Sequence, residues 1–204
     1  MKTKLISLIT HERLIIRFIT SWSIGTMILF AAWYISDVWL PDKFFQFLPG
    51  TAISPVGCEI GSVSATIKAF AWNLLLTGGL CIAASLFAVG RFPYGYVVPW
   101  ILYGVYGGML GTDSFSCSNP LDSAQIDISI LWTRAGFREI TGYLFIPAAM
   151  ANLYLWRQRS FWSTRVETVR RFSDDKFSLE IVIGLAASVG LIAWGAIEEV
   201  FNLI

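Results

Sequence analysis

Four polar residues can form a binding site in an otherwise apolar chain. Asn73 lies about one turn into one apolar stretch, and Arg134, Arg138 and Glu139 directly precede another. Arg134 and Arg138 are four residues apart, so they share one face of a helix. If both stretches are helices that begin on the same side of a membrane, Asn73 can meet Arg138 and Glu139 at a similar depth. We expect a site for an ion, a lipid headgroup or a partner, or alternatively a structural hydrogen-bond network.

Other kinds of chemistry find no support in the sequence. The single histidine, His11, cannot ligate a haem on both faces or build a histidine-rich metal centre. The chain has no His-Glu-x-x-His pattern, no phosphate-binding loop and no lysine inside an apolar stretch. We therefore expect no catalytic residues, no metal and no cofactor, in a protein that is not an enzyme.

Glycines recur along a third apolar stretch, between residues 104 and 111. In a helix they form one flat face, which allows another helix to approach closely. Their spacing is not that of a dinucleotide-binding motif. The sequence therefore predicts a helix-packing face made of Gly104, Gly107, Gly108 and Gly111.

The composition decides which class of protein positions these residues. Of the 204 residues, 55% are hydrophobic and only 14% are charged, whereas charged residues make up about a quarter of a typical soluble domain. The net charge of +1 gives no reason to expect binding to nucleic acid. The chain is predicted to be an integral membrane protein.

The apolar stretches predict a single, all-α membrane domain with five transmembrane helices. Continuous apolar runs of this length favour helices over barrel strands. The segments between them are two outer loops, 41–68 and 113–133, and a basic inner connection, 157–176. The predicted spans cover residues 18–39, 69–90, 92–112, 135–156 and 178–198.

The distribution of basic residues predicts the orientation. Most lysines and arginines lie in the N-terminal arm, at Arg91 and in the connection 157–176, and basic loops stay on the cytoplasmic side. We therefore expect the N-terminus inside and the C-terminus outside. Other membranes follow the same charge rule, and among them we expect a multi-pass protein of a prokaryotic plasma (inner) membrane.

Two loop features leave alternatives open. Cys58 and Cys117 are the cysteines of the two outer loops, so they are either a disulfide pair or two free thiols. In the inner connection, Trp162, Val166 and Val169 recur at helical spacing. A helix there can lie on the anionic leaflet or bind a cytoplasmic partner, and the alternative is a basic loop that sets the topology.

The five-span pattern resembles the stage II sporulation protein M-like family of membrane proteins. The likeness covers about residues 65–200 and depends on three patches. They are residues 70–73 (Phe-Ala-Trp-Asn) with Gly78 and Gly79, the four glycines of the third stretch, and residues 135–139 (Ala-Gly-Phe-Arg-Glu). The last is similar to the family's His-Gly-x-x-Glu, although Ala135 stands where that family usually has histidine. The resemblance implies a non-enzymatic scaffold or a partner of a transport system.

Two functions therefore remain open. The first is a scaffold or accessory subunit of a membrane complex, which contacts membrane lipids and either other membrane proteins or further copies of itself. The second is a small permease or transporter component with a polar site near the outer membrane boundary.

Overall fold

The structure is a computed structural model, and it describes residues 2–47, 62–114, 131–132, 134–160, 162–169 and 178–201. Half of the predicted outer loop 41–68 and most of the loop 113–133, and with them Cys58 and Cys117, lie outside the described residues. Cys81 is a free, buried thiol.

The described residues are mostly helical. Ser62 caps the third helix by accepting a hydrogen bond from the Ala65 N–H at 3.3 Å. Single turns of 3₁₀ helix cover Phe44–Phe47 and Tyr94–Tyr96. The α-helices are α1 (Lys2–Ile9), α2 (Leu14–Trp39), α3 (Val63–Ser85), α4 (Val97–Gly111), α5 (Ala135–Met150) and α6 (Leu179–Phe201).

Three of these helices, α2, α3 and α6, are long and apolar enough to cross a membrane. They correspond to the predicted first, second and fifth spans, although α3 already begins at Val63, inside the predicted outer loop. Helices α4 and α5 have 15 and 16 residues, or about 22 and 24 Å at 1.5 Å per residue. Helix α4 is shorter than the predicted span 92–112 because residues 92–93 pair as a strand and residues 94–96 form a 3₁₀ turn. Helix α5 ends at Met150, before the predicted end of the span 135–156, and residue 156 begins a strand.

The contacts between helices fix their relative directions. Along α2 and α4, Gly25 faces Tyr103 and Gly111 faces Trp33, so these two helices are parallel. Along α5 and α6, Gly142 faces Ile192 and Gly184 faces Ala149, so that pair is antiparallel. Phe18 stacks on Phe145, with ring centroids 3.8 Å apart, and joins the two pairs. Helix α3 packs on the outer surface of these four helices, where its Ala65 and Ala69 contact Ala196 and Val200 of α6.

The predicted glycine face is the contact surface between α2 and α4. A Cβ added at Gly107 would meet the Leu29 carbonyl, and one at Gly111 would meet the Trp33 carbonyl. At Gly108 it would lie 2.7 Å from the Phe45 ring, and at Gly104 it would lie 3.4 Å from Ile28. The four glycines form a close packing contact, and the structure shows that its partner belongs to the same chain, mainly α2, which already occupies this face.

A small sheet joins the ends of α3 and α5, which the sequence analysis did not predict. Its order is β2-β1-β3-β4, with β1 (Phe87–Val89), β2 (Phe92–Pro93), β3 (Trp156–Gln158) and β4 (Val166–Thr168). Strands β1 and β3 are parallel, and β2 and β4 pair antiparallel with them. Of the two alternatives for the inner connection, a helix through Trp162, Val166 and Val169 is contradicted over β4, where β-branched residues fit a strand and pair with β3.

Candidate functional site

Asn73 and Glu139 meet between α3 and α5, as the sequence predicted. The Asn73 side-chain N–H donates a hydrogen bond to Glu139 Oε1 at 2.8 Å. Asn73 begins a π-helical turn, Asn73–Gly78, in which the Gly79 N–H bonds the Leu74 carbonyl five residues back. Such turns are rare and are frequent at functional sites. Here the turn lies directly beside the carboxyl group that α5 contributes.

Arg138 contacts a different helix from the one that its sequence neighbour Glu139 contacts. Its guanidinium forms an ion pair with Glu198 of α6 and lies 4.6 Å from the centroid of the Trp194 ring. The Trp194 Nε1–H donates a hydrogen bond to Glu198 Oε1 at 2.8 Å, so the Glu198 carboxylate interacts with both Arg138 and Trp194. Arg138 is only 7% exposed, and its Nε has no hydrogen-bond partner among the described residues.

The predicted cluster is therefore two adjacent contacts rather than one site. Consecutive helical residues point about 100° apart, which directs Glu139 to Asn73 and Arg138 to α6. Arg134 is half-buried at the N-cap position of α5 and interacts electrostatically with Tyr106. The sequence analysis missed Glu198 and Trp194. Their spacing of four residues on the last apolar stretch was the available signal.

The ion pair between Arg138 and Glu198 is expected to stabilise the contact of α5 with α6. Changing Glu198 to Gln leaves the buried arginine without a counter-charge, so we expect a loss of about 3 kcal/mol in the free energy of unfolding. Unfolding in mixed detergent micelles measures it. The double variant Arg138→Met, Glu198→Leu removes both charges and should recover most of the loss. A double variant as unstable as the single one would contradict this role.

A second buried polar centre, built around Arg17, lies at the other end of the bundle. The Arg17 Nε donates to the Ala148 carbonyl at 2.6 Å, and Nη1 donates to the carbonyls of His11 and Glu12 at 2.6 and 2.8 Å. These carbonyls lie at or just beyond the C-terminal ends of α5 and α1, where helices leave oxygens without partners and favour a cation. Arg17, only 4% exposed, therefore holds two helix ends together.

Glu180 completes this centre from the first turn of α6. Its Oε2 lies 3.6 Å from Arg17 Nη2 and accepts a hydrogen bond from the Leu14 N–H at 3.0 Å. Nearby, the Tyr96 hydroxyl donates to the Ile9 carbonyl at 2.9 Å. The sequence analysis counted Arg17 only among the charges of the N-terminal arm, because nothing local distinguishes a buried arginine from a loop arginine.

No metal or cofactor site is evident in the part of the chain that the structure describes. Among those residues, no group of three or more His, Cys, Asp or Glu side chains can hold a metal ion. Apart from Arg138 Nε, the buried polar groups named in the two centres bond one another and the backbone.

Family models, curated proteins and solved structures give no match to this chain. The resemblance to the stage II sporulation protein M-like family thus depends on the quoted residues alone. Two of those residues, Asn73 and Glu139, are the pair that bond each other.

Proposed function

We propose that this chain is a five-span, non-enzymatic membrane protein that acts as a scaffold or accessory subunit of a membrane complex. We place it in a prokaryotic plasma membrane with its N-terminus inside. Its partners in this proposal are lipids and other membrane proteins, or further copies of itself. The resemblance to the stage II sporulation protein M-like family agrees with this role.

The helix directions support five crossings. Helix α4 runs beside α2 from Trp100, which bonds Ser21, to Thr112, whose carbonyl accepts the Lys43 N–H at 2.6 Å. It therefore follows most of the length of a helix that can itself cross a membrane. Helix α5 follows α6 in the same way, from Ala135 beside Gly195 to Ala149 beside Gly184. With α3 antiparallel to α6, the five helices alternate in direction.

The main support for the proposal is that some glycines are covered by a neighbouring helix, whereas others face open space. The glycines of α4 are covered by α2, but a Cβ added at Gly79 of α3 or at Gly190 of α6 would meet nothing within 4 Å. An alanine lies four residues from each of these glycines: Ala83 follows Gly79, and Ala186 precedes Gly190. Pairs of small residues at this spacing let helices of separate chains pack closely in a membrane. The outer faces of α3 and α6 are therefore the proposed contact surfaces.

Changing Gly190 to Leu tests this proposal. The fold has room for the side chain, and leucine favours a helix by several tenths of a kcal/mol over glycine, so the monomer should keep its stability. Its co-purification with partner proteins in gentle detergent, measured by quantitative mass spectrometry, should fall at least about tenfold. Ser23→Leu, also on an exposed helix face, is the matched control. Partner recovery as high for Gly190→Leu as for the wild type would refute this surface of α6.

One observation favours a permease or transporter component as a second candidate. Glu199 acts electrostatically on Glu139, so a second acid belongs to the surroundings of the carboxyl group that bonds Asn73 of the π-helical turn. Paired acids inside a membrane are a feature of ion and proton pathways.

Changing Glu139 to Gln separates the two candidates. Glutamine retains an oxygen that accepts the Asn73 hydrogen bond, so the protein should fold normally. If the Glu139 carboxyl group carries an ion or a proton, uptake of that ion or proton into proteoliposomes should fall to the background rate. If Glu139 is structural, assembly and any transport by the complex should remain within about twofold of the wild type. Asn73→Ala, which removes the hydrogen bond and keeps the acid, is the complementary variant.

A further inference from the structure

Two loops place basic residues together at one edge of the small sheet. Because β1 and β3 are parallel, both end at the same edge, and β2 and β4 begin there. The turn at Gly90 and Arg91 therefore lies beside residues 159–160 and 162–165, which follow β3 and precede β4. The Gly90 N–H donates to the Gln158 carbonyl at 2.7 Å, which ties the two together. We call Arg91, Arg159, Trp162 and Arg165 the basic edge.

The basic edge has an unbalanced positive charge. The described residues of the sheet and its loops contain one acid, Glu167, which pairs with Arg159 at 2.9 Å and Arg157 at 3.7 Å. Arg91 and Arg165 are exposed and form no ion pair with any residue that the structure describes. Two guanidinium groups are therefore available to an anion.

An aromatic side chain stands among these charges. Trp162 is 95% exposed, although an indole open to water on all sides is unfavourable. Phe87 and Trp156 stack with centroids 5.0 Å apart, and Val166 lies on the same face of the sheet by strand register. Tryptophan and arginine beside an apolar surface are typical of the membrane interface.

The position of the sheet relative to the helices agrees with an interfacial location. Strand β1 begins two residues after Ser85, the last residue of α3, and the Leu86 carbonyl accepts the N–H groups of Leu155 and Trp156. A strand of three residues is about 10 Å long. The basic edge is therefore at most about 10 Å from the helix ends, close to the headgroup layer that borders the hydrocarbon core.

We propose that the basic edge binds the phosphate groups of anionic phospholipids. Arg91 and Arg165 donate hydrogen bonds to phosphate oxygens, which match the planar guanidinium. Trp162 enters the headgroup layer, and the face with Phe87 and Val166 contacts the lipid beneath it. This inference rests on insertion into a membrane, as proposed above, but not on the number of spans or on the scaffold role.

Native mass spectrometry of the full chain in detergent, titrated with phosphatidylglycerol or phosphatidylcholine, tests the proposal. The wild type should bind phosphatidylglycerol more tightly. In the double variant Arg91→Gln, Arg165→Gln, that affinity should fall about 25-fold, since each basic residue near a membrane contributes roughly a factor of five. Binding of phosphatidylcholine should not change. Lys43→Gln, Lys68→Gln removes two exposed charges near the opposite ends of the helices from the sheet and should behave as the wild type.

Equal affinity of the wild type for the two lipids would overturn the proposal, and so would an equal loss in the two double variants. Incorporation into phosphatidylcholine nanodiscs is measured in parallel, because it reports insertion without any anionic lipid. A protein that inserts but shows no lipid preference refutes the basic edge alone and leaves the scaffold role intact.

Discussion

Changing Gly107 to alanine should lower the free energy of unfolding by about 2 kcal/mol or more, as overpacked cores do. The new methyl group would meet the Leu29 carbonyl, which is backbone and cannot rotate away. Helices α2 and α4 must then separate along their whole contact. Unfolding in mixed micelles, followed by circular dichroism, measures the loss.

Gly79→Ala is the matched control for this experiment. Its Cβ meets nothing within 4 Å, so alanine should be neutral or should stabilise α3 by up to about 1 kcal/mol through its helix propensity. Equal effects of the two substitutions would contradict the close packing of α2 on α4. Gly108→Leu would likewise overpack the chain, because its side chain would displace the ring of Phe45.

Changing Arg17 to leucine is expected to destabilise the protein by about 3 kcal/mol or more. The carbonyls of His11, Glu12 and Ala148 would lose their donor in a buried position, where unpaired polar groups are costly. Arg17→Lys should fall between the leucine variant and the wild type, because one ammonium cannot reach carbonyls on two sides. Thermal unfolding in detergent, with wild type and both variants in parallel, measures this order.

Glu180→Gln shows whether Arg17 stabilises this end of the bundle through its ion pair with Glu180 or through its hydrogen bonds to backbone carbonyls. The side chain of Glu180 is 47% exposed, so its ion pair should contribute less than about 1 kcal/mol. Glutamine also retains an oxygen for the Leu14 N–H. If Glu180→Gln were as destabilising as Arg17→Leu, the ion pair rather than the carbonyl bonds would hold this end together.

The contacts that the sequence predicted are those encoded by residue type at helical spacing. Asn73 and Glu139 are polar residues at matching depths of two apolar stretches, so burial leaves each the other as a partner. The glycines of α4 likewise identify a close helix contact by themselves. What the spacing could not reveal was the partner: α2 of the same chain covers the glycines.

Features that depend on distant parts of the chain were not predictable. Strands of two or three residues give no alternation to detect, and β1 and β3 are separated by more than 60 residues along the chain. Arg138 was placed with Glu139 because they are neighbours in sequence, whereas the helix turns them to different partners. Arg17 counts in the sequence only as a charge of the N-terminal arm, because the carbonyl groups that it bonds come together only when α1, α2 and α5 pack.

Five membrane crossings are the central claim, and labelling of single cysteines tests it most directly. Three variants, each with one cysteine, at Cys58, Cys117 or Arg91→Cys, are treated in intact cells with a membrane-impermeant maleimide, then again after permeabilisation. Five crossings predict that Cys58 and Cys117 react from outside, and that the cysteine at position 91 reacts only after permeabilisation. If only α2, α3 and α6 crossed, Cys117 would share the inner side with position 91, and that result would contradict the account.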